Sequence, residues 1–228
     1  SYPGTDNEVS SGYVQLKLDW INDGFPGRVD ALQITQSRSA AKSCSNAHQE
    51  GDSVTVNQGS ESTQATVEKL GSGIAILVEV GVSIPLTTLN DIATTWDNTI
   101  EPTVTNYFGS IPDIDDTCTV ELLILSIDGG GGIGGYFNPG LSSAREIIFM
   151  DSDDLSWRNT IISHEFAHLL HSARDPGEYL WIDEGAADMA SYLTFGLTNT
   201  LTGHANSWTE SSNLSVRWWN QRLSLIHI

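Results

Sequence analysis

Residues 161–185, IISHEFAHLLHSARDPGEYLWIDEG, hold two apolar segments on either side of an Asp-Pro-Gly turn. Ile161, Ile162, Phe166, Ala167, Leu169 and Leu170 recur without Gly or Pro between them. With candidate N-caps in the preceding DSDDLSW, this predicts a helix over about 155–173. Pro176 and Gly177 supply turn chemistry, and WIDEGAADMASYLTF (181–195) then predicts a second helix that returns beside the first.

The first segment contains His-Glu-x-x-His at 164–168. Side chains at i and i+4 share a helix face, with Cβ atoms about 6 Å apart. Two imidazoles so placed can reach one tetrahedral Zn²⁺ at about 2.0–2.1 Å. Glu165, one position on, is placed to act as general base towards a water at the metal. Chance amphipathic helices also produce this five-residue pattern, so the third ligand matters. His171 lies three residues after His168, but ligands at i, i+4 and i+7 of a straight helix spread over about 10 Å of axis, too far for one ion. The pattern HExxHxxGxxH fails as well, because position 171 is His rather than Gly and position 174 is Arg rather than His. Glu184, near the start of the second helix, is the remaining candidate. Asp188 shares its face and can accept a hydrogen bond from the free ring nitrogen of a ligand histidine. An exposed acidic face would also produce this pair, but an acid embedded after the apolar LWI needs a partner.

Outward from this stretch, GIAILVEVG (73–81), TVELLILSID (119–128) and REIIFMD (145–151) read as strands. Leu86, Leu89, Ile92, Trp96 and Ile100 recur at helical steps, and Pro102 is expected to end or kink that helix. Residues 1–70 form a β-rich N-terminal region, with YVQLKLDW (13–20) and SVTVNQ (53–58) as strands. A catalytic domain over 71–223 follows. SNLSVRWWNQ suggests a further helix start. The order strand, helix, strand, strand, helix, helix predicts an α+β domain with helices on a mixed sheet. Ser1 is not Met, and the chain is read as a processed form or fragment. Residues 224–228 resemble adapter read-through and are set aside as a non-native tail.

The charge balance is 29 acidic residues against 10 basic, net −19, which argues against nucleic acid and anionic membrane partners. No apolar run is long enough to span a bilayer. A secreted protein fits this composition. Cys44 and Cys118 can form one disulfide or remain two thiols. In PDIDDTC, Asp113, Asp115 and Asp116 offer oxygens that calcium could use. The EF-hand pattern is not met, and a solvated turn is the simpler expectation. His48 and His204 have no motif context and are expected at the surface. The Gly-rich run 129–135 is no phosphate loop and is expected to be a flexible loop near the cleft, and the strand before it could pair with an extended peptide.

HExxH followed by WIDEGAADMA resembles the gluzincin zinc peptidases. NYFGSIPDIDD, VELLILSIDGGGG, GGYFNPG, REIIFMD, ISHEFAHLLH and WIDEGAADMASY together resemble the hyicolysin family of secreted bacterial metallopeptidases, over about residues 72–195. The resemblance implies a zincin-like mixed sheet with a packed HExxH helix and a second helix carrying the third ligand. It implies zinc held by His164, His168 and Glu184, with Glu165 as base and protein or peptide substrates. Where such families often have Asn before the ligand Glu, this chain has Asp183, expected to support a ligand or face solvent. A closing C-terminal subdomain is not apparent. Two rivals remain open: a non-catalytic surface or adhesion protein with a structural zinc helix, and a zinc hydrolase of a non-peptide bond.

Overall fold

Three apolar, β-branched segments form the middle of the sheet in a computed structural model that describes residues 44–129, 132–141, 143–199, 201–203 and 206. The strands are β1 (Ser53–Gln58), β2 (Glu61–Leu70), β3 (Ile74–Glu79), β4 (Val120–Leu125), β5 (Gly135–Phe137) and β6 (Ile147–Asp151), in the spatial order β1-β2-β3-β4-β6-β5. β3, β4 and β6 run parallel, while β1, β2 and β5 pair antiparallel to their neighbours. Every residue of β4 and β6 is buried, as expected of parallel strands covered on both faces. The expected strands at 13–20 and the helix start in SNLSVRWWNQ lie outside the described residues.

β1 and β2 form a hairpin across Gly59 and Ser60, and Gly59 takes φ 63, the left-handed conformation that favours glycine. β2 continues directly into pairing with β3, so the sheet runs unbroken across residues 70 and 71.

Side chains alternate between two apolar clusters. One face sends Ile76, Leu122, Ile124, Ile148 and Met150 towards the helices; the other sends Leu77, Leu123 and Phe149 towards Val56, Ala65 and Val67. The helices are α1 (Leu86–Thr95), α2 (Glu101–Phe108), α3 (Arg158–Ser172) and α4 (Leu180–Phe195). Among the described residues, no helix is long and apolar enough to cross a membrane.

Pro102 was expected to end or kink the helix that begins at 86. Instead a π-helical turn, Trp96–Ile100, carries the chain from α1 into α2, and Pro102 lies in the first turn of α2. The Glu101 N–H still bonds the Trp96 carbonyl, and the wider π turn just before Pro102 accommodates a residue that has no N–H to give. The turn also buries Trp96, whose ring lies 4.5 Å from that of Phe166. Burying a side chain of this class contributes roughly 1.5–3 kcal/mol relative to exposure, so this contact ties α3 to the turn between α1 and α2.

α3 also approaches β5 closely. A Cβ on Gly135 would come within 2.5 Å of the Ile161 side chain and 2.6 Å of the Phe149 carbonyl oxygen. The glycine pair 134–135 is what lets α3 lie against the sheet edge one turn before His164.

Two expectations fail for tertiary reasons. β4 was expected to be able to pair with an extended peptide, but it is hydrogen-bonded to β3 and β6 on both sides. The strands at the two edges of the described sheet are β1 and β5, and β5 is the one beside α3. His48 was expected at the surface. Its Nε2 lies 2.8 Å from Glu121 Oε1, part-buried, and Arg145 bonds the same carboxylate. Glu121 is fully buried at the start of β4, so it needs both partners. His204 lies outside the described residues.

Cys44 and Cys118 are joined in a disulfide across 74 residues. It ties the segment before β1 to the loop that enters β4. Asn46 and Ser45 reinforce the tie by bonding Asp115 and Asp116.

Candidate metal centre

α3 is buried from Ile161 to Leu170 because sheet, α1 and α4 all pack around it. Its polar residues His164, Glu165 and His168 are buried with the rest. A buried polar group must be partnered, and the partners come largely from α4. Chain reversal begins where the His171 carbonyl accepts the N–H groups of Arg174 and Asp175, and a Gly177 N–H bond to Asp175 continues it. Arg174, at the position where a third histidine would stand in the longer motif, instead holds the Leu170 and Ser110 carbonyls. α4 then packs on α3 through Ala187 and Ala190. The buried hydroxyls of Ser163 and Ser191 lie 3.1 Å apart, each 3.0 Å from the Thr160 carbonyl.

This packing brings one donor atom from each of His164, His168 and Glu184 into a single group within 4.8 Å. The two Nε2 atoms are 3.1 Å apart, and Glu184 Oε2 lies 3.3 Å from His164 Nε2 and 3.8 Å from His168 Nε2. Ligands about 2.0–2.1 Å from a tetrahedral ion are separated by about 3.3–3.4 Å. The three observed separations bracket that value.

The opposite ring nitrogens explain which way the Nε2 atoms face. His164 Nδ1 lies 3.1 Å from Asp188 Oδ1, and His168 Nδ1 lies 2.9 Å from Asp183 Oδ2. With each Nδ1 beside a carboxylate, each Nε2 is the ring nitrogen left to face the shared point. Both Nε2 atoms and a carboxylate oxygen then face one point, where positive charge, a proton or a metal ion, is favoured. The field has the matching sign. Burial disfavours a charged His164, yet Asp188 and Glu184 outweigh it and lift the pKa from 6.5 to about 10. Burial likewise opposes the charged form of Glu184, but His164 and His168 hold its carboxyl below the usual range. The donor chemistry, the spacing and the field all fit a divalent ion such as Zn²⁺.

Glu165 is buried beside His164 on the same helix. Asp183 does more than the sequence suggests. Burial works against its ionised form, yet His168 and His171 keep the carboxyl below the usual range. One of its oxygens reaches His168, and the other accepts from His171 Nδ1 at 2.8 Å. His171 thus sits two links from the centre, through Asp183. Only the rotation of α4 against α3 shows this, and no spacing rule carries that rotation.

The chain is therefore an α+β protein with a buried two-histidine, one-carboxylate centre between two helices. No family model matches it. It is similar to the neutral metalloprotease ShpI of Staphylococcus hyicus, 28% identical over 163 residues, with 58% of this chain and 37% of that protein covered. The chain thus spans little more than a third of that relative's length.

Proposed function

We propose that the chain carries the active site of a secreted, zinc-dependent endopeptidase of the gluzincin type, akin to the hyicolysin group, with a zincin-like fold. The observation that carries this reading is the convergence of His164, His168 and Glu184, with Asp188 and Asp183 behind the two imidazoles. The likeness to a neutral metalloprotease supports the same class of chemistry.

In this reading His164, His168 and Glu184 hold the ion, Asp188 orients the His164 ring, and Asp183 orients the His168 ring. When bound, Zn²⁺ supplies Lewis-acid chemistry, polarising a carbonyl and making water acidic near neutral pH. Glu165 takes the proton of the attacking water and passes it to the leaving amine. Its burial in α3 removes competing solvent and fixes the carboxylate relative to the two histidines. The edge strand β5 offers backbone groups to an extended peptide, and Gly134 and Gly135 keep that edge close to α3. A metal-dependent hydrolase needs Glu165, whereas a structural zinc helix does not, and this favours the enzyme over the adhesion rival.

The test is cleavage of casein or a quenched peptide by the zinc-loaded chain, beside Glu165→Gln. We expect Glu165→Gln to keep its zinc and to lose activity by about 10²–10⁴-fold or more. Zinc-loaded wild type without cleavage above the blank, or a fully active Glu165→Gln, would contradict the proposal.

A further inference from the structure

A second group of carboxylates meets where the parallel strands β4 and β6 begin. Asp113 and Asp115 lie on the loop that enters β4, and Glu146 immediately precedes β6. One carboxylate oxygen from each lies within 4.8 Å of the others. Asp116, the third acid of the PDIDDTC loop, is not in this group; it faces Ser45 instead.

Acids often meet without holding anything, so proximity alone carries no conclusion. The second observation is Glu146 itself. It is 2% exposed. Its Oε1 accepts the Ile114 N–H at 3.0 Å, while its Oε2 is buried and has no hydrogen-bond partner among the described residues. A buried carboxylate oxygen left without a donor is costly. The loop does not supply one. Its Cys118 N–H is spent on Asp113 Oδ1, and the Thr117 N–H and hydroxyl are spent on Asp115 Oδ1. Among the described residues, no Lys or Arg pairs with Asp115 or Glu146. Burial, and then the charges of Asp115 and Asp113, hold the Glu146 carboxyl above its usual range, as crowding of like charge does.

We propose that Asp113, Asp115 and Glu146 form a calcium site, separate from the His164–His168–Glu184 centre. The donor set is all oxygen, which suits a hard cation rather than zinc. Opposed ligands around Ca²⁺, at about 2.3–2.6 Å each, stand about 4.6–5.2 Å apart. The three oxygens, all within 4.8 Å of one another, are close enough to share one such ion. Mg²⁺ gives up its waters reluctantly and is seldom held by an all-protein carboxylate cage, which favours Ca²⁺. Calcium here joins the loop entering β4 to the residue entering β6. It satisfies Glu146 Oε2 and braces the disulfide-tied corner of the sheet.

The experiment is a calorimetric calcium titration of the whole chain after chelator stripping and zinc reloading, with thermal melts in parallel. We expect one saturable calcium event per chain with Kd at or below about 1 mM, and a Tm that climbs with calcium concentration. Glu146→Gln and Asp115→Asn should each weaken binding at least tenfold, and His164→Ala should leave it unchanged. Asp115 is only part-buried, so Asp115→Asn gives the answer if Glu146→Gln does not fold. Absence of both heat and Tm shift up to about 10 mM calcium would overturn the proposal. So would binding that survives both carboxylate variants, or Mg²⁺ binding as tightly as Ca²⁺.

Discussion

At the His164–His168–Glu184 group every donor is carried by a helix, whereas at the Asp113–Asp115–Glu146 group every donor sits on a loop or the first step of a strand. The helix-borne group is rigid because α3 and α4 are pinned by Trp96–Phe166 packing and the Ser163–Ser191 contact. The loop-borne group must be held by cross-links. Asp116 and Cys118 both adopt φ 62, a conformation that costs a non-glycine residue energy and persists only where the surroundings fix it. The Cys44–Cys118 disulfide and the Asn46 and Ser45 contacts are that fixture. Helical spacing can build a site almost alone, while a loop site depends on what is tied to it.

The contrast can be broken by removing supports on either side. The largest effect on metal binding is expected behind the imidazoles. Asp188→Asn and Asp183→Asn should each weaken zinc binding by about 10–100-fold in competition with a chromophoric chelator. Asp183→Asn should also release His171, seen as a change in the His171 ring resonances. Equal zinc affinity in both variants and wild type would mean these acids do not orient the ligands.

On the loop side, Cys44→Ala with Cys118→Ala should lower the unfolding free energy by about 4 kcal/mol, the chain-entropy value for a loop of 74 residues. Denaturant titration reads this directly. Zinc affinity should stay within about twofold of wild type, because none of the proposed zinc donors is carried by that loop.

The smallest effect concerns His48. Its bond to Glu121 raises its pKa above 6.5, against burial and the nearby Arg145 charge and with help from Asp115. A raised folded pKa stabilises below the unfolded value and is lost as pH rises through the folded one. His48→Gln should therefore destabilise by about 1 kcal/mol or less near pH 6, and the deficit should shrink towards about pH 9. A deficit that grows with pH would place the protonated ring elsewhere.

The same contrast governs what the amino-acid sequence discloses. Periodicity and the Pro176–Gly177 turn were enough to pair α3 with α4, and i, i+4 spacing pointed to His164, His168, Glu184 and Asp188 as neighbours. Asp183 was half-legible, since its second bond, to His171, depends on helix rotation. Glu146 was not legible as a partner of Asp113 and Asp115, because strand order β4-β6 brings it there. Strand order also explains why β4, held between β3 and β6, is not open to a peptide. Likewise, nothing local in ATTWDNTIEP announces the π turn that accommodates Pro102.

The most direct test of the metal centre is zinc content per chain, by mass spectrometry, in wild type, Glu184→Ala and His171→Ala. The account predicts one zinc in wild type and in His171→Ala, and none retained by Glu184→Ala after dialysis. Zinc kept by Glu184→Ala and lost from His171→Ala would contradict it.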